Sequence, residues 1–136
     1  MLKLSKMCDH ALVLCGFIAK FEQEEKPAAE WARMSGVPAA TTAKLLKKIS
    51  SAGLLTSTRG KGGGYKLSKP SIEISVLQVI EAIDGPVAIL DCSVNGKGCE
   101  HSARCMVGKP MSLVERAVID GFSKLSLAEL VANNGK

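Results

Sequence analysis

A short helix, a glycine turn, a strongly basic helix and a glycine-tipped hairpin follow one another between residues 28 and 67. That order predicts a mainly α-helical fold with a small β-hairpin, a winged helix-turn-helix that runs on into a further long helix. Charge supports the same reading. Residues 1–69 carry twelve basic and five acidic side chains, whereas residues 70–136 carry six and eight. Between Trp31 and Ile72 there are eight basic residues and no acidic one. Solvated surfaces usually mix signs, so a one-sign segment suggests a polyanionic partner.

The elements can be justified in order. From Leu4 to Phe21, apolar residues recur at helical spacing (Leu4, Cys8, Ala11, Leu12, Cys15, Ile18, Ala19) and predict an amphipathic helix. A polar break, Glu22 to Pro27, follows. Ala28 to Ser35 reads as a short helix with Trp31 and Met34 inward, stopped by Gly36. Ala39 to Ala52 is the basic helix. Leu45, Leu46, Ile49 and Ala52 make its apolar side, and Thr41, Lys44, Lys48 and Ser51 the opposite side, with Lys47 beside them. Gly53 closes it as a left-handed cap. Leu54 to Thr58 and Tyr65 to Leu67 are strand-like, and Arg59 to Gly64 is the turn between them. Ser75 and Gln78 have capping-box spacing at the head of a helix running through Leu77, Ile80 and Ile83 to Gly85. Pro110 opens another helix, and Ser126 with Glu129 caps a last short one.

Physics assigns the pieces. A major groove accepts one α-helix whose exposed face carries donors, and the hairpin tip can reach the neighbouring minor groove, where Arg59 suits a narrow, negative cleft. The candidate DNA-binding residues are Thr41, Thr42, Lys44, Lys47 and Lys48 on the helix and Arg59, Lys61, Gly62, Gly63 and Tyr65 on the wing. Aromatics are scarce (one Trp, one Tyr, three Phe), which favours double-stranded DNA over single strands or RNA. A nucleotide-binding phosphate loop is disfavoured, because Lys61 lies inside the glycine run and Tyr65-Lys66 follows it. Cys8, His10 and His101 lack an orienting third group, so an enzyme is not expected.

The chain of 136 residues is long enough for one core without disulfide staples. The longest uncharged apolar stretch, Ala11 to Ala19, is about half a membrane span, and no signal-peptide pattern opens the sequence. A cytoplasmic protein without a membrane partner is the expectation.

The cysteines fall into two kinds. Cys8 and Cys15 lie on the apolar face of the first helix and read as small buried hydrophobes. Cys92, Cys99 and Cys105 lie in a glycine-rich stretch without periodicity, with six and five residues between neighbours. Cytoplasmic thiols stay reduced, so a disulfide framework explains them poorly. An iron–sulfur cluster, a zinc site and redox-active free thiols all fit this spacing.

With these residues in view, the chain resembles the IscR and NsrR family of bacterial winged-helix regulators. The resemblance runs from Leu2 to about Ala132. It is carried by Leu4-Ser5-Lys6, Ala52-Gly53-Leu54-Leu55, Arg59-Gly60, Gly62-Gly63-Gly64-Tyr65-Lys66-Leu67, Ile74-Ser75-Val76, Val79-Ile80, Ile83-Asp84-Gly85, the three-cysteine loop and Leu125 to Val131. It implies a homodimer built on a long helix, here about Pro110 to Phe122, and a cluster on Cys92, Cys99 and Cys105. That cluster is 2Fe–2S in IscR-like members and 4Fe–4S in NsrR-like ones. IscR-like members place a histidine three residues after the last cysteine, where this chain has Gly108. NsrR-like members use an aspartate from the partner's first helix, and the matching position is Asp9, with Cys8, His10 and His101 as competitors. On the recognition helix, the acidic residue and glutamine of IscR-like members are replaced by Ala43 and Lys44, so a different operator sequence is the expectation.

The resemblance implies a DNA-binding domain over 1–85, a cluster-binding loop over 86–109, and a dimerisation helix with a C-terminal helix over 110–136. It implies a regulator that senses cluster status or oxidative or nitrosative stress at a pseudo-palindromic operator, and the opening residues look most like regulators of SUF cluster-assembly operons. The alternative from the residues is a winged-helix regulator with structural zinc or a thiol switch.

Overall fold

The computed structural model describes residues 3–89 and 106–132. Helix α1 (Lys6–Lys20) is capped by Ser5, whose hydroxyl accepts from the Cys8 N–H at 3.0 Å. Its inward face, Cys8, Ala11, Leu14, Cys15, Ile18 and Ala19, follows the three-and-four spacing of one helical stripe. Helix α2 (Ala28–Ser35) is stopped by Gly36 at φ 78°, and α3 (Ala39–Ser51) passes through Ala52 to Gly53 at φ 84°. These glycines adopt the left-handed conformation that turns a chain out of a helix at little steric cost.

Strands β1 (Leu55–Thr58) and β2 (Gly64–Leu67) pair antiparallel, with Leu55 opposite Leu67 and Thr58 opposite Gly64. A single-residue bridge joins Lys26 to the free edge of β2. Lys26 N–H donates to the Tyr65 carbonyl at 3.3 Å, and Tyr65 N–H to the Lys26 carbonyl at 2.8 Å. The connection between α1 and α2 thereby forms the outer edge of the hairpin.

After a 3-10 turn (Ser71–Glu73), helix α4 (Val76–Asp84) begins with the full Ser75–Gln78 capping box. Helix α5 (Gly108–Lys124) starts two residues before Pro110, which sits in its first turn, where no intrahelical hydrogen bond is lost. Helix α6 (Leu127–Ala132) carries the second box: Glu129 N–H donates to Ser126 Oγ at 3.1 Å, and Ser126 N–H to Glu129 Oε2 at 3.3 Å.

One apolar core joins α1, α2, α3, the hairpin and α4, with Trp31, Leu14, Ile18, Leu45, Leu46 and Ile49 fully buried. Its last member is Leu127. Val76 N–H donates to the Leu125 carbonyl and Leu127 N–H to the Ile74 carbonyl, both at 2.8 Å. The chain's far end is thus stitched to the head of α4. Among the described residues, no helix is long and apolar enough to cross a membrane.

Helix α5 behaves differently. None of its residues is buried in the single chain. One side (Val118, Phe122) leans on α4, while Leu113 and Val114 are 67% and 46% exposed and Ala117 and Gly121 continue the exposed stripe.

Two expectations for α3 change, one inward and one outward. Ala52 is exposed, because the helix has ended and Gly53 is already turning the chain away. Thr42, expected to face DNA, is fully buried. It stands three and four residues before Leu45 and Leu46, on the core stripe, and its hydroxyl donates to the Val37 carbonyl at 3.2 Å. Thr42 therefore secures the turn between α2 and α3 and is corrected from contact residue to structural residue.

Candidate nucleic-acid interface

Helix α3 presents a polar, acid-free face. Ala40, Ala43, Lys44, Lys47, Lys48 and Ser51 are exposed, and Thr41 is half-buried at its edge. Leu45, Leu46 and Ile49 hold the other side in the core, so the face is fixed in direction by packing rather than by its own propensity. Arg33, nearby in sequence, is committed elsewhere. It forms a bidentate ion pair with Glu30, and this guanidinium holds the Glu30 carboxyl below the usual carboxylate range.

The wing tip, Arg59 to Gly62, is exposed. Glycines set its shape at two places. A Cβ on Gly64 would stand 2.1 Å from the backbone carbonyl of Lys26, and one on Gly63 would stand 2.2 Å from the Thr58 carbonyl oxygen. Backbone meets backbone there, so only glycine fits. Tyr65 is half-buried against the core, with both backbone groups engaged by Lys26 and its carbonyl also accepting from Trp31 Nε1 at 3.0 Å. The structure therefore brings Lys44, Lys47, Lys48, Arg59 and Lys61 to the surface on consecutive elements, α3 and the wing. It keeps Gly62 at the tip and turns Gly63 and Tyr65 toward the hairpin's interior contacts.

Sequence reasoning missed three residues that hold this surface. Glu25 accepts from the Thr58 hydroxyl at 2.7 Å, Glu22 accepts from Ser71 N–H at 2.9 Å, and Lys26 bridges to Tyr65 of β2. A polar break rich in carboxylates, immediately before Pro27, was the available signal.

Cys92, Cys99, Cys105 and His101 lie outside the described residues, which begin again at Met106. What is described are the flanks of that segment. Ser5 Oγ donates to the Asp84 carboxylate (2.8 and 2.9 Å), joining the head of α1 to the last residue of α4. Ile89 N–H donates to Glu115 Oε2 of α5 at 2.9 Å. Leu4, Ile80, Val87, Ile89, Val118 and Phe122 line a cavity of about 490 Å³ under this flank. Asp9 is exposed one residue beyond Cys8, in the first turn of α1. Cys8 itself is buried, and burial, followed by the negative charges of Asp84 and Asp9, pushes its thiol up to about 11. Cys15 is pushed to about 12, mainly by burial. Both are inert apolar packing, as their helix face suggested. Of the candidates for a fourth ligand on α1, Asp9 is exposed, His10 half-buried and Cys8 turned inward.

Three comparisons bear on identity. The helix-turn-helix-type transcriptional regulator IscR of Vibrio cholerae is 33% identical over 114 residues, which cover 83% of this chain. The chain spans 65% of that regulator's length, just under two thirds. Among solved structures, T. potens IscR superposes with a TM-score of 0.77 at 18% identity, covering 98% of this chain and 89% of its own. CymR, the global cysteine regulator of B. subtilis, superposes with a TM-score of 0.76 at 22% identity, covering 99% and 100%. At these identities the two structures speak to the fold, which they share. The named relatives include a transcriptional regulator and a global cysteine regulator. The family model for Rrf2, iron-dependent transcriptional regulator, matches residues 4–133, and the chain belongs to the Rrf2 family.

Proposed function

We propose that this Rrf2-family regulator works as a homodimer on double-stranded DNA, reading a pseudo-palindromic operator and answering to the state of an iron–sulfur cluster. The observation that carries the DNA reading is the exposed, acid-free face of α3, held from behind by the core, together with the exposed basic wing tip on the element that follows it. Thr41, Lys44, Lys47 and Lys48 would enter the major groove. Arg59 and Lys61 would take the adjacent minor groove and backbone, where Gly62 and Gly63 allow close approach and Tyr65 braces the strand. The apolar stripe on α5 supports the dimer, since a second copy offers the cover that the single chain lacks. Work on DNA implies a cytoplasmic protein.

Three thiolates, Cys92, Cys99 and Cys105, with Asp9 of the partner subunit are a donor set that suits a 2Fe–2S or 4Fe–4S cluster. When bound, such a cluster supplies iron that reacts with oxidants and nitric oxide. The chain's own part is mechanical. The Asp84–Ser5 and Glu115–Ile89 hydrogen bonds tie the segment leading to these cysteines to α1 and to α5. A rearranged loop would then shift both helices and the spacing of the two recognition helices. Cluster-assembly genes are the proposed targets.

The test has two arms. Anaerobic purification with iron and sulfide assays and a visible spectrum reads the cofactor. Equal iron and sulfide with charge-transfer bands supports the cluster. A colourless protein with zinc or free thiols overturns it and leaves a zinc or thiol switch. Repeated selection from a random 30-base-pair pool reads DNA binding, with log K falling against log salt by about 0.9 per neutralised phosphate.

A further inference from the structure

The long acid-free stretch of sequence does not stay acid-free in space. Folding brings Glu25, 33 residues upstream, onto Thr58, the last residue of β1 and the neighbour of Arg59. The Thr58 hydroxyl donates to Glu25 Oε1 at 2.7 Å. The other carboxylates of the same turn are engaged at different points: Glu22 accepts from Ser71 N–H at 2.9 Å, and Glu24 pairs with Lys26 at 3.4 Å. Lys26 is the residue that bridges to Tyr65 on β2. The two strands of the wing are therefore held from the same short turn, β2 through the Lys26 backbone and β1 through the Glu25 side chain.

The two attachments differ in kind. The β2 attachment is made of backbone hydrogen bonds and is locked by Gly64, where any side chain would collide with Lys26. The β1 attachment is one side-chain hydrogen bond at the point where the strand becomes the tip. Beyond it the tip runs through Gly60 and Gly62, both at positive φ, and closes on itself through the Gly63 N–H, which donates to the Gly60 carbonyl at 3.1 Å, so Thr58 is the point at which the Arg59 side of the tip is tied to the connection between α1 and α2.

We propose that Glu25 is a positioning residue for DNA recognition: by holding Thr58 it aims Arg59 into the groove, and so it sets the preference for operator over random sequence without touching DNA. The proposal rests on the DNA reading above. It departs from a purely stabilising role in one respect. A brace that only stabilised the fold would change binding to every duplex alike. A brace that aims Arg59 matters where the groove's width is read, at the operator.

The experiment uses the full-length dimer, a duplex recovered by selection from the random 30-base-pair pool, and random-sequence duplex of the same length. Glu25→Ala and Thr58→Val should each weaken binding to the selected duplex about 5–10-fold, the scale of one ordinary hydrogen bond. Binding to random duplex should change less than about 2-fold, because the phosphate contacts of α3 are intact. Glu25→Gln, whose amide oxygen can accept from Thr58, should recover most of the loss. In an Arg59→Ala background, Glu25→Ala should cost nothing further. Equal losses on both duplexes, an undiminished effect in the Arg59→Ala background, or selected-duplex affinity unchanged in Glu25→Ala would each overturn the proposal. A wild-type protein from which no duplex can be selected would instead overturn the DNA reading itself, and this proposal with it.

Discussion

The indole N–H of Trp31, on α2, donates across 3.0 Å to the backbone carbonyl of Tyr65, on β2. A fully buried core side chain thus reaches out of the helix-turn-helix and holds the wing by its backbone. The same carbonyl accepts from Lys26 N–H at 3.3 Å, so helix, connection and hairpin meet at one oxygen atom.

Trp31→Phe should therefore cost about 0.5–1.5 kcal/mol from the hydrogen bond, since the Tyr65 carbonyl keeps Lys26 as a donor. Trp31→Ala, which also opens the core, should cost about 3–5 kcal/mol. Urea unfolding of the two variants separates the polar from the packing contribution. A Phe variant as unstable as the Ala variant would contradict this division.

Glycine substitutions in the wing should rank by what a Cβ meets. Gly62 stands at φ 78° with open space around it, so Gly62→Ala should cost only the left-handed strain, about 1–2 kcal/mol. Gly64→Ala drives a methyl into the Lys26 backbone at 2.1 Å, which breaks the bridge and should cost at least about 3 kcal/mol. Thermal unfolding gives the ranking, and DNA affinity should follow it.

Thr42 and the lysines of α3 should separate cleanly. Thr42→Val leaves the Val37 carbonyl without its hydroxyl partner and should destabilise by about 1–3 kcal/mol. The salt dependence of DNA binding should not change. Lys44→Ala and Lys47→Ala should leave stability within about 0.5 kcal/mol. Each should lower the slope of log K against log salt by about one if the side chain meets a phosphate. Denaturation curves and binding isotherms on the same preparations check both halves.

Cys15 makes stability fall on the alkaline side. Its thiol ionises at 9.0 when unfolded and at about 12 when folded. The folded state keeps the proton longer, so this contribution is complete below pH 9 and is lost as the pH rises from 9 toward 12. Unfolding free energy should fall steadily with pH across that window through this group. Cys15→Ala should show a shallower alkaline decline than wild type when unfolding free energy is followed against pH. In the native protein near neutral pH, Cys15 should also resist alkylating reagents that modify exposed thiols.

Much of this fold was legible because local chemistry marks its boundaries. Ser75 with Gln78, Ser126 with Glu129, Gly36 and Gly53 all stand where helix ends need them, and they do what their spacing suggests. Thr42 shows how chemistry can mislead where geometry does not. Its position relative to Leu45 and Leu46 put it on the core stripe, but its hydroxyl, next to Thr41, drew it into the DNA-facing set. The bridge from Lys26 to the wing left only a polar break before Pro27 to read. Lys26 and Tyr65 are 39 residues apart, and a one-residue bridge leaves no alternation to read. The same holds for Glu25 on Thr58, where the sequence shows only a polar break before a proline. Of the expected metal ligands, Asp9 is seen exposed on α1, while Cys92, Cys99 and Cys105 lie outside the described residues.

The stitching of Leu127 beneath α1, with its N–H on Ile74, has a consequence for synthesis. A ribosome releases this chain from its amino end, and the half that carries α3 and the wing is made first. That half nevertheless waits for a core residue near the carboxyl end, so it cannot finish folding until the cysteine-bearing segment has also been translated. A message cut short after the wing would yield a product that lacks part of its own interior and is open to proteolysis. The half that carries α3 and the wing is thereby kept from completing its core without the segment that holds Cys92, Cys99 and Cys105.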